Sequence, residues 1–228
     1  MIIYVSHIGI TYNSSNPLND LKKTDFKIFF YEKNLNNSSK KIKFLKYYSN
    51  KHSILFYKNK NWNFGLELIQ YKKINSTQEF NKLNNLKLKK INFSKINKLK
   101  NLTLYSANIL KDYNLFKSMN FLLNPTFNKN SFLGELPSFK SLKKEKVDLI
   151  IKKKKTKKKI YLDDKGFNFI SFFSTNLNND IKILKKKGIK LISKTINIKI
   201  NNNKFRLILF RTFGGIILEL IERYEKKN

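Results

Sequence analysis

The sequence has no cysteine, one alanine, three prolines and seven glycines, and only three of its 48 basic residues are arginine. Each shortage excludes something. Without cysteine there is no disulfide and no thiolate metal site, so any bound metal must be held by oxygen and imidazole ligands. No apolar run approaches the roughly 20 residues that span a bilayer. The opening Met1-Ile2-Ile3-Tyr4-Val5-Ser6-His7 lacks a basic stretch followed by a long apolar one, so a secretory leader is not expected. A soluble, cytoplasmic protein with no membrane partner is the expectation. Specific phosphate recognition favours arginine forks, and Arg206, Arg211 and Arg223 are widely outnumbered by lysine.

What is present is charge. The formal net charge is +33 over 228 residues. Lysine, asparagine, isoleucine, phenylalanine and tyrosine, all abundant, have codons rich in A and T, whereas the scarce residues need G and C. Codon drift therefore accounts for a diffuse lysine surface without a selected polyanion site. The block Lys152 to Lys159, broken only by Thr156, reads as a solvated loop more readily than as a phosphate patch. Nucleic-acid binding is expected to be unspecific, weak and erased by moderate salt. A basic RNA- or ribosome-associated protein is the reading from another class, and it requires affinity beyond that field.

The C-terminal third has the clearest pattern. Phe167 to Ser174 is dense in aromatic residues and reads as a strand, and Thr175-Asn176 offers a cap. Leu177, Ile181 and Leu184 share a helical face, Lys185 to Lys187 suit a helix C-terminus, and Gly188 closes it. Strands are expected at Ile189 to Thr195, Lys204 to Phe210 and Ile216 to Glu222, the first two separated by the Asn201-Asn202-Asn203 turn. The order is βαβββ.

The N-terminal third repeats that order less cleanly. It offers a strand at Tyr4 to Thr11, a helix within Leu18 to Glu32, and strands at Ile42 to Tyr48, Ser53 to Tyr57 and Gly65 to Tyr71. The last strands of the two units share a tetrapeptide, Leu66-Glu67-Leu68-Ile69 and Leu218-Glu219-Leu220-Ile221. A fainter third copy runs through Leu102 to Ala107, a helix at Ile109 to Met119, short strands at 120–123 and 132–136, and Val147 to Ile151. The expectation is an α+β protein of repeated βαβββ modules forming a curved mixed sheet with a cleft. The modules would span 1–75, 101–155 and 160–226, with 76–100 as linker.

Val5-Ser-His-Ile-Gly-Ile-Thr11 resembles the opening strand of the vicinal-oxygen-chelate superfamily, whose members include glyoxalase, bleomycin-resistance, methylmalonyl-CoA epimerase and extradiol dioxygenase modules. Gly166 to Phe172, the helix end at Lys187-Gly188-Ile189, and Gly215-Ile-Ile-Leu-Glu-Leu-Ile-Glu222 resemble a complete later module. The resemblance implies that two modules build one cleft, with their first and last strands aiming side chains at a divalent metal. It places His7, Glu67 and Glu219 at ligand positions, and Phe169, which cannot bind metal, at the fourth. Asn101 and Asp148 are the matching positions of the middle copy. It further implies a lyase, isomerase or dioxygenase acting on a small oxygenated metabolite, with a carboxylate, Glu219, moving a proton.

Competing readings accompany these residues. A lone histidine in an apolar strand is commonly structural, and His52 shows no evident partner in the sequence. Glu67 and Glu219 alternate with apolar neighbours, so each faces either solvent or the cleft. Trp62 reads as packing. A metal-free small-molecule-binding protein of the same fold is the alternative. Three modules cannot all pair within one chain. The favoured arrangement pairs the second with the third and leaves the first to a symmetry mate in a homodimer; pairing of first and third is the other arrangement.

Overall fold

The computed structural model describes residues 2–12, 25–59, 64–73, 82–83, 101–119, 122–123, 131–135, 148–154, 159–200 and 202–224. Its C-terminal unit consists of β10 (Gly166–Ser174), helix α2 (Leu177–Lys186), β11 (Ile196–Ile200), β12 (Asn203–Arg211) and β13 (Ile217–Arg223). The Asn176 side chain caps α2 by accepting from the Asn179 N–H, and Gly188, at φ 84°, turns the chain out of it. The helix buries Leu177 and Leu184. The second strand of the unit falls at Ile196–Ile200, later than the expected Ile189 to Thr195, where a single bridge, Ile192 to Phe210, forms. Ser193 N–H donates to the Leu209 carbonyl and Arg211 N–H to the Leu191 carbonyl, so the segment touches β12 at one point before β11 begins its ladder.

The N-terminal unit contributes β1 (Ile2–Thr11), β2 (Phe26–Asn36), β3 (Lys51–Asn59) and β4 (Gly65–Tyr71), with a 3-10 helix at Ser39–Phe44. The helix expected within Leu18 to Glu32 does not extend over residues 26–32, which form the edge strand β2, because the run Phe-Lys-Ile-Phe-Phe-Tyr is β-prone and pairs with β3. The strand expected at Ile42 to Tyr48 is instead the 3-10 turn and an irregular strap. Residues 18–24 and Trp62 lie outside the described residues.

β1 and β10 run antiparallel and join the two units into one eight-stranded curled sheet, ordered β11-β12-β13-β10-β1-β4-β3-β2. The favoured pairing of second with third unit is thereby corrected: the cleft is completed within one chain by the first and third. The short connection between second and third units suggested otherwise, but the middle unit instead packs against the back of this sheet. It comprises β6 (Asn101–Ser106), helix α1 (Ile109–Ser118), β7 (Leu122–Leu123), β8 (Ser131–Glu135) and β9 (Asp148–Lys153), with β5 (Lys82–Leu83) at its edge. Leu102, Leu104, Phe116, Leu149 and Ile151 share one buried cluster with Val5, Ile8, Leu66, Ile170 and Leu218. The Asp112 carboxylate accepts from Gly214 N at 3.0 Å and from Thr212 Oγ1 at 3.0 Å, tying α1 to the β12–β13 turn.

In both complete strand–helix junctions a serine ends the strand, an asparagine caps the helix and an aspartate follows on the first turn: Ser106, Asn108, Asp112 and Ser174, Asn176, Asp180. Each serine hydroxyl accepts from the N–H of its asparagine, at 3.0 and 3.1 Å. Ser174 Oγ also donates to Asp180 Oδ2 at 2.6 Å. The aspartates are buried because the serines meet them.

Candidate functional site

The concave face of the eight-stranded sheet encloses a cleft of about 970 Å³. At its floor β4, β1, β10 and β13 lie side by side. His7 pairs with Gly65 on one side and Ser171 on the other; Gly9 pairs with Glu67 and Phe169; Ser171 pairs with Glu219. Exchanging the two halves therefore carries His7 onto Phe169, Gly9 onto Ser171, and Glu67 onto Glu219. The shared tetrapeptides occupy equivalent last strands, and alternation turns both glutamates to the cleft while the flanking leucines enter the core.

His7, Glu67 and Glu219 meet. His7 Nε2 is 3.0 Å from Glu67 Oε2 and 3.4 Å from Glu219 Oε1. Nδ1 of the ring is 3.1 Å from the Ser6 hydroxyl. Ser171 Oγ donates to Glu219 Oε1 at 2.7 Å. Although close to both carboxylates, Nε2 makes no aligned hydrogen bond.

Two phenyl rings clamp the imidazole edge-on, Phe56 at 5.4 Å and Phe169 at 5.9 Å between centroids. Each ring occupies a glycine notch. A Cβ on Gly9 would collide with the Phe169 ring, and one on Gly65 with that of Phe56. The glycines are needed for space, not for an unusual backbone. Phe56 was not singled out from the sequence; its only signal was a phenylalanine paired across from Glu67.

Electrostatics separates the two carboxylates. Burial alone would push the His7 pKa down, but Glu67 and then Glu219 outweigh it and hold the imidazole above its ordinary value. Burial likewise opposes ionisation of Glu67, yet His7, Lys41 and His52 hold its carboxyl below the ordinary value. Glu219 goes the other way: burial, only partly offset by His7 and reinforced by the charge of Glu67, raises it. One carboxylate is thus ion-paired and the other disposed to keep a proton.

Asn101 and Asp148 do not join this group. They pair with each other on β6 and β9, in the other sheet. Register makes Ile150, not Asp148, the counterpart of Glu219, so the middle unit has no carboxylate at that position.

The donors suit a divalent ion in kind: one imidazole and two carboxylates, with a buried ring nitrogen lacking an aligned hydrogen bond. As placed they contact one another, and no group of three or more His, Cys, Asp or Glu among the described residues is arranged to hold a metal.

The strand order within each unit is first-last-third-second, with the first and last strands parallel, and two such units abut through their first strands. This is the curved mixed sheet with a cleft that the resemblance to the vicinal-oxygen-chelate superfamily implies. No family model and no curated protein matches the sequence. Solved structures with a weak likeness include a "putative dioxygenase" from Bacillus subtilis, at 12% identity and TM-score 0.39, covering 98% of this chain and 64% of that one. A glyoxalase/bleomycin resistance protein/dioxygenase from Alicyclobacillus acidocaldarius is 9% identical, with TM-score 0.39 and coverage of 57% and 95%. A glyoxalase family protein from Enterococcus faecalis is 17% identical, with TM-score 0.39 and coverage of 55% and 97%. The chain spans 64% of the length of the Bacillus protein. No helix among the described residues is long and apolar enough to cross a membrane.

Proposed function

We propose that this chain is a glyoxalase-like enzyme that binds a small oxygenated metabolite in the cleft between its first and third units, with His7, Glu67 and Glu219 as its chemical centre. The observation that carries the reading is the convergence of these three side chains, one from β1 and one from each of the equivalent strands β4 and β13. The three would hold a divalent cation, which when bound supplies Lewis-acid polarisation of a substrate carbonyl. Without a metal, Glu67 and His7 carry opposite charges and fix each other; to ligate the cation His7 would give up its Nε2 proton. Glu219, with Oε1 taken by Ser171, presents Oε2 as the oxygen that gives or takes a proton beside a polarised carbonyl. Lyase, isomerase and dioxygenase chemistry all use such a centre. The module order and shared tetrapeptide are read as an internal repeat.

A second reading is favoured by one observation: Phe169 fills the fourth ligand position with a ring packed on Gly9. In that reading the cleft binds its ligand without metal, through the His7–Glu67 pair. Metal analysis of purified protein and of His7→Ala separates the two. Stoichiometric metal lost in the variant supports the first; a metal-free protein that still binds ligand supports the second.

A further inference from the structure

Four residues along β4 from Glu67, or about 13 Å of strand, a second group of polar atoms lies unmatched. His52 and Tyr71 are paired across β3 and β4, stack with ring centroids 5.8 Å apart, and line the same cleft. Both are more than nine-tenths buried, at 6% and 3% exposure. Among the described residues, neither ring nitrogen of His52 nor the hydroxyl of Tyr71 has an aligned hydrogen-bond partner. The Leu35 carbonyl on the paired strand favours the imidazole proton but makes no aligned bond. Leaving one buried polar atom unmatched costs on the order of 1–3 kcal/mol, and here three are grouped.

Between this group and the His7 centre the wall is apolar. Ile54 pairs with Ile69, and Phe56 pairs with Glu67, so the sequence of facing pairs is polar, apolar, polar. Phe44, Leu45 and Leu162 pack with Ile69 and Tyr71 and close that end. We infer that His52 and Tyr71 form a second polar subsite, which takes the uncharged hydroxyl or carbonyl end of an elongated, apolar-bodied ligand whose other end lies at His7, Glu67 and Glu219. The inference deepens the proposed function and rests on it.

The chemistry selects an uncharged group. Burial, then Lys41, lowers the His52 pKa to about 4, so the ring stays neutral with one donor and one acceptor. Burial, then Glu67, Asp163 and Glu219, raises the Tyr71 phenol, so it remains a donor. Those carboxylates disfavour a ligand anion there, and Lys41 disfavours a cation. A hydroxyl, which both gives and accepts, answers the pair.

The test uses the full chain and two rigid probes, 4,4′-dihydroxybiphenyl and 4-hydroxybiphenyl, with calorimetry and imidazole NMR. His7 and His52 are the only histidines, so each ring reports separately. The diol is expected to bind about tenfold more tightly than the mono-ol. It should shift both imidazoles, and Tyr71→Phe should reduce the preference to within about twofold without lowering the melting temperature. If the probes bind equally while His7 shifts, or Tyr71→Phe keeps the preference, the subsite is wrong and the cleft reading stands. A lower melting temperature in Tyr71→Phe, with His52 unmoved by the diol, makes the hydroxyl structural and overturns the subsite. If neither probe binds or moves either ring, both readings fall.

Discussion

The two halves of the cleft have one backbone plan and opposite chemistry. In the β1–β4 half, His7 and Glu67 form a buried charged pair; in the β10–β13 half, Phe169 replaces the imidazole, and Glu219 is left with a serine hydroxyl and an elevated pKa. The middle unit continues the trend, with Asn101 and Ile150 at the matching register. At equivalent register the core-facing residues are alike because packing demands them, whereas the cleft-facing ones differ, and Phe169 serves there as part of the clamp on His7.

The strongest way to break the comparison is to fill a notch. Gly9→Val should force the Phe169 ring out of its place and strain the seam between the halves, costing about 3 kcal/mol or more. Denaturant unfolding measures it. A cost below about 1 kcal/mol would show that the ring moves freely and does not position His7.

Next comes the charge asymmetry. Glu67→Gln removes the partner of a buried imidazolium and should cost about 3 kcal/mol at pH 6, whereas Glu219→Gln replaces a carboxyl already inclined to be neutral and should cost under about 1 kcal/mol. The pH profile follows in sign. His7, raised from 6.5, stabilises fully below that value and loses its contribution as pH rises through the folded pKa. Glu67, lowered from 4.5, stabilises above that value and loses its contribution as pH falls through its folded pKa. Their joint contribution is therefore greatest between about 4.5 and 6.5, and Glu67→Gln should flatten it. Equal costs for the two glutamine variants would erase the distinction between the halves.

How much of this was legible beforehand depended on what each residue answers to. The C-terminal unit was readable because its helix carries a cap, a stripe and a closing glycine, all local signals. The β2 region was not: Lys27 to Glu32 carries a mixed pattern that only pairing with Lys51–Asn59 resolves as a strand. Pairing of the units was misjudged because it depends on the β1–β10 edges, which leave no mark in spacing. The grouping of His7, Glu67 and Glu219 was suggested by resemblance and the repeated tetrapeptide. The serine-asparagine-aspartate junctions were present at equal spacing but went unread, since their meaning lies in a hydrogen bond back to the strand end. His52 has no evident partner in the sequence, and its ring nitrogens have none among the described residues, which is what makes it informative.

Ser171→Ala makes the sharpest comparison, because it touches one oxygen. Ser171 occupies the position that Gly9 holds in the other half, and its hydroxyl is the hydrogen bond holding Glu219 Oε1. Ser171→Ala removes that bond without opening a large void and should cost about 1 kcal/mol. Because the bond favours the ionised carboxyl, its loss should raise the Glu219 pKa further, so the variant should hold its proton to higher pH. The change should also reach His7. A Glu219 that is neutral more of the time attracts the imidazolium less, so the His7 titration followed by NMR should move down while Glu67 still holds it above the ordinary value. Ser171→Gly would make the two halves alike at this position and should reproduce the shift with a larger loss of stability, since glycine also weakens the strand. If His7 titrates unchanged in Ser171→Ala, Glu219 is not electrically coupled to it, and the two halves would have to be treated as separate sites sharing a wall.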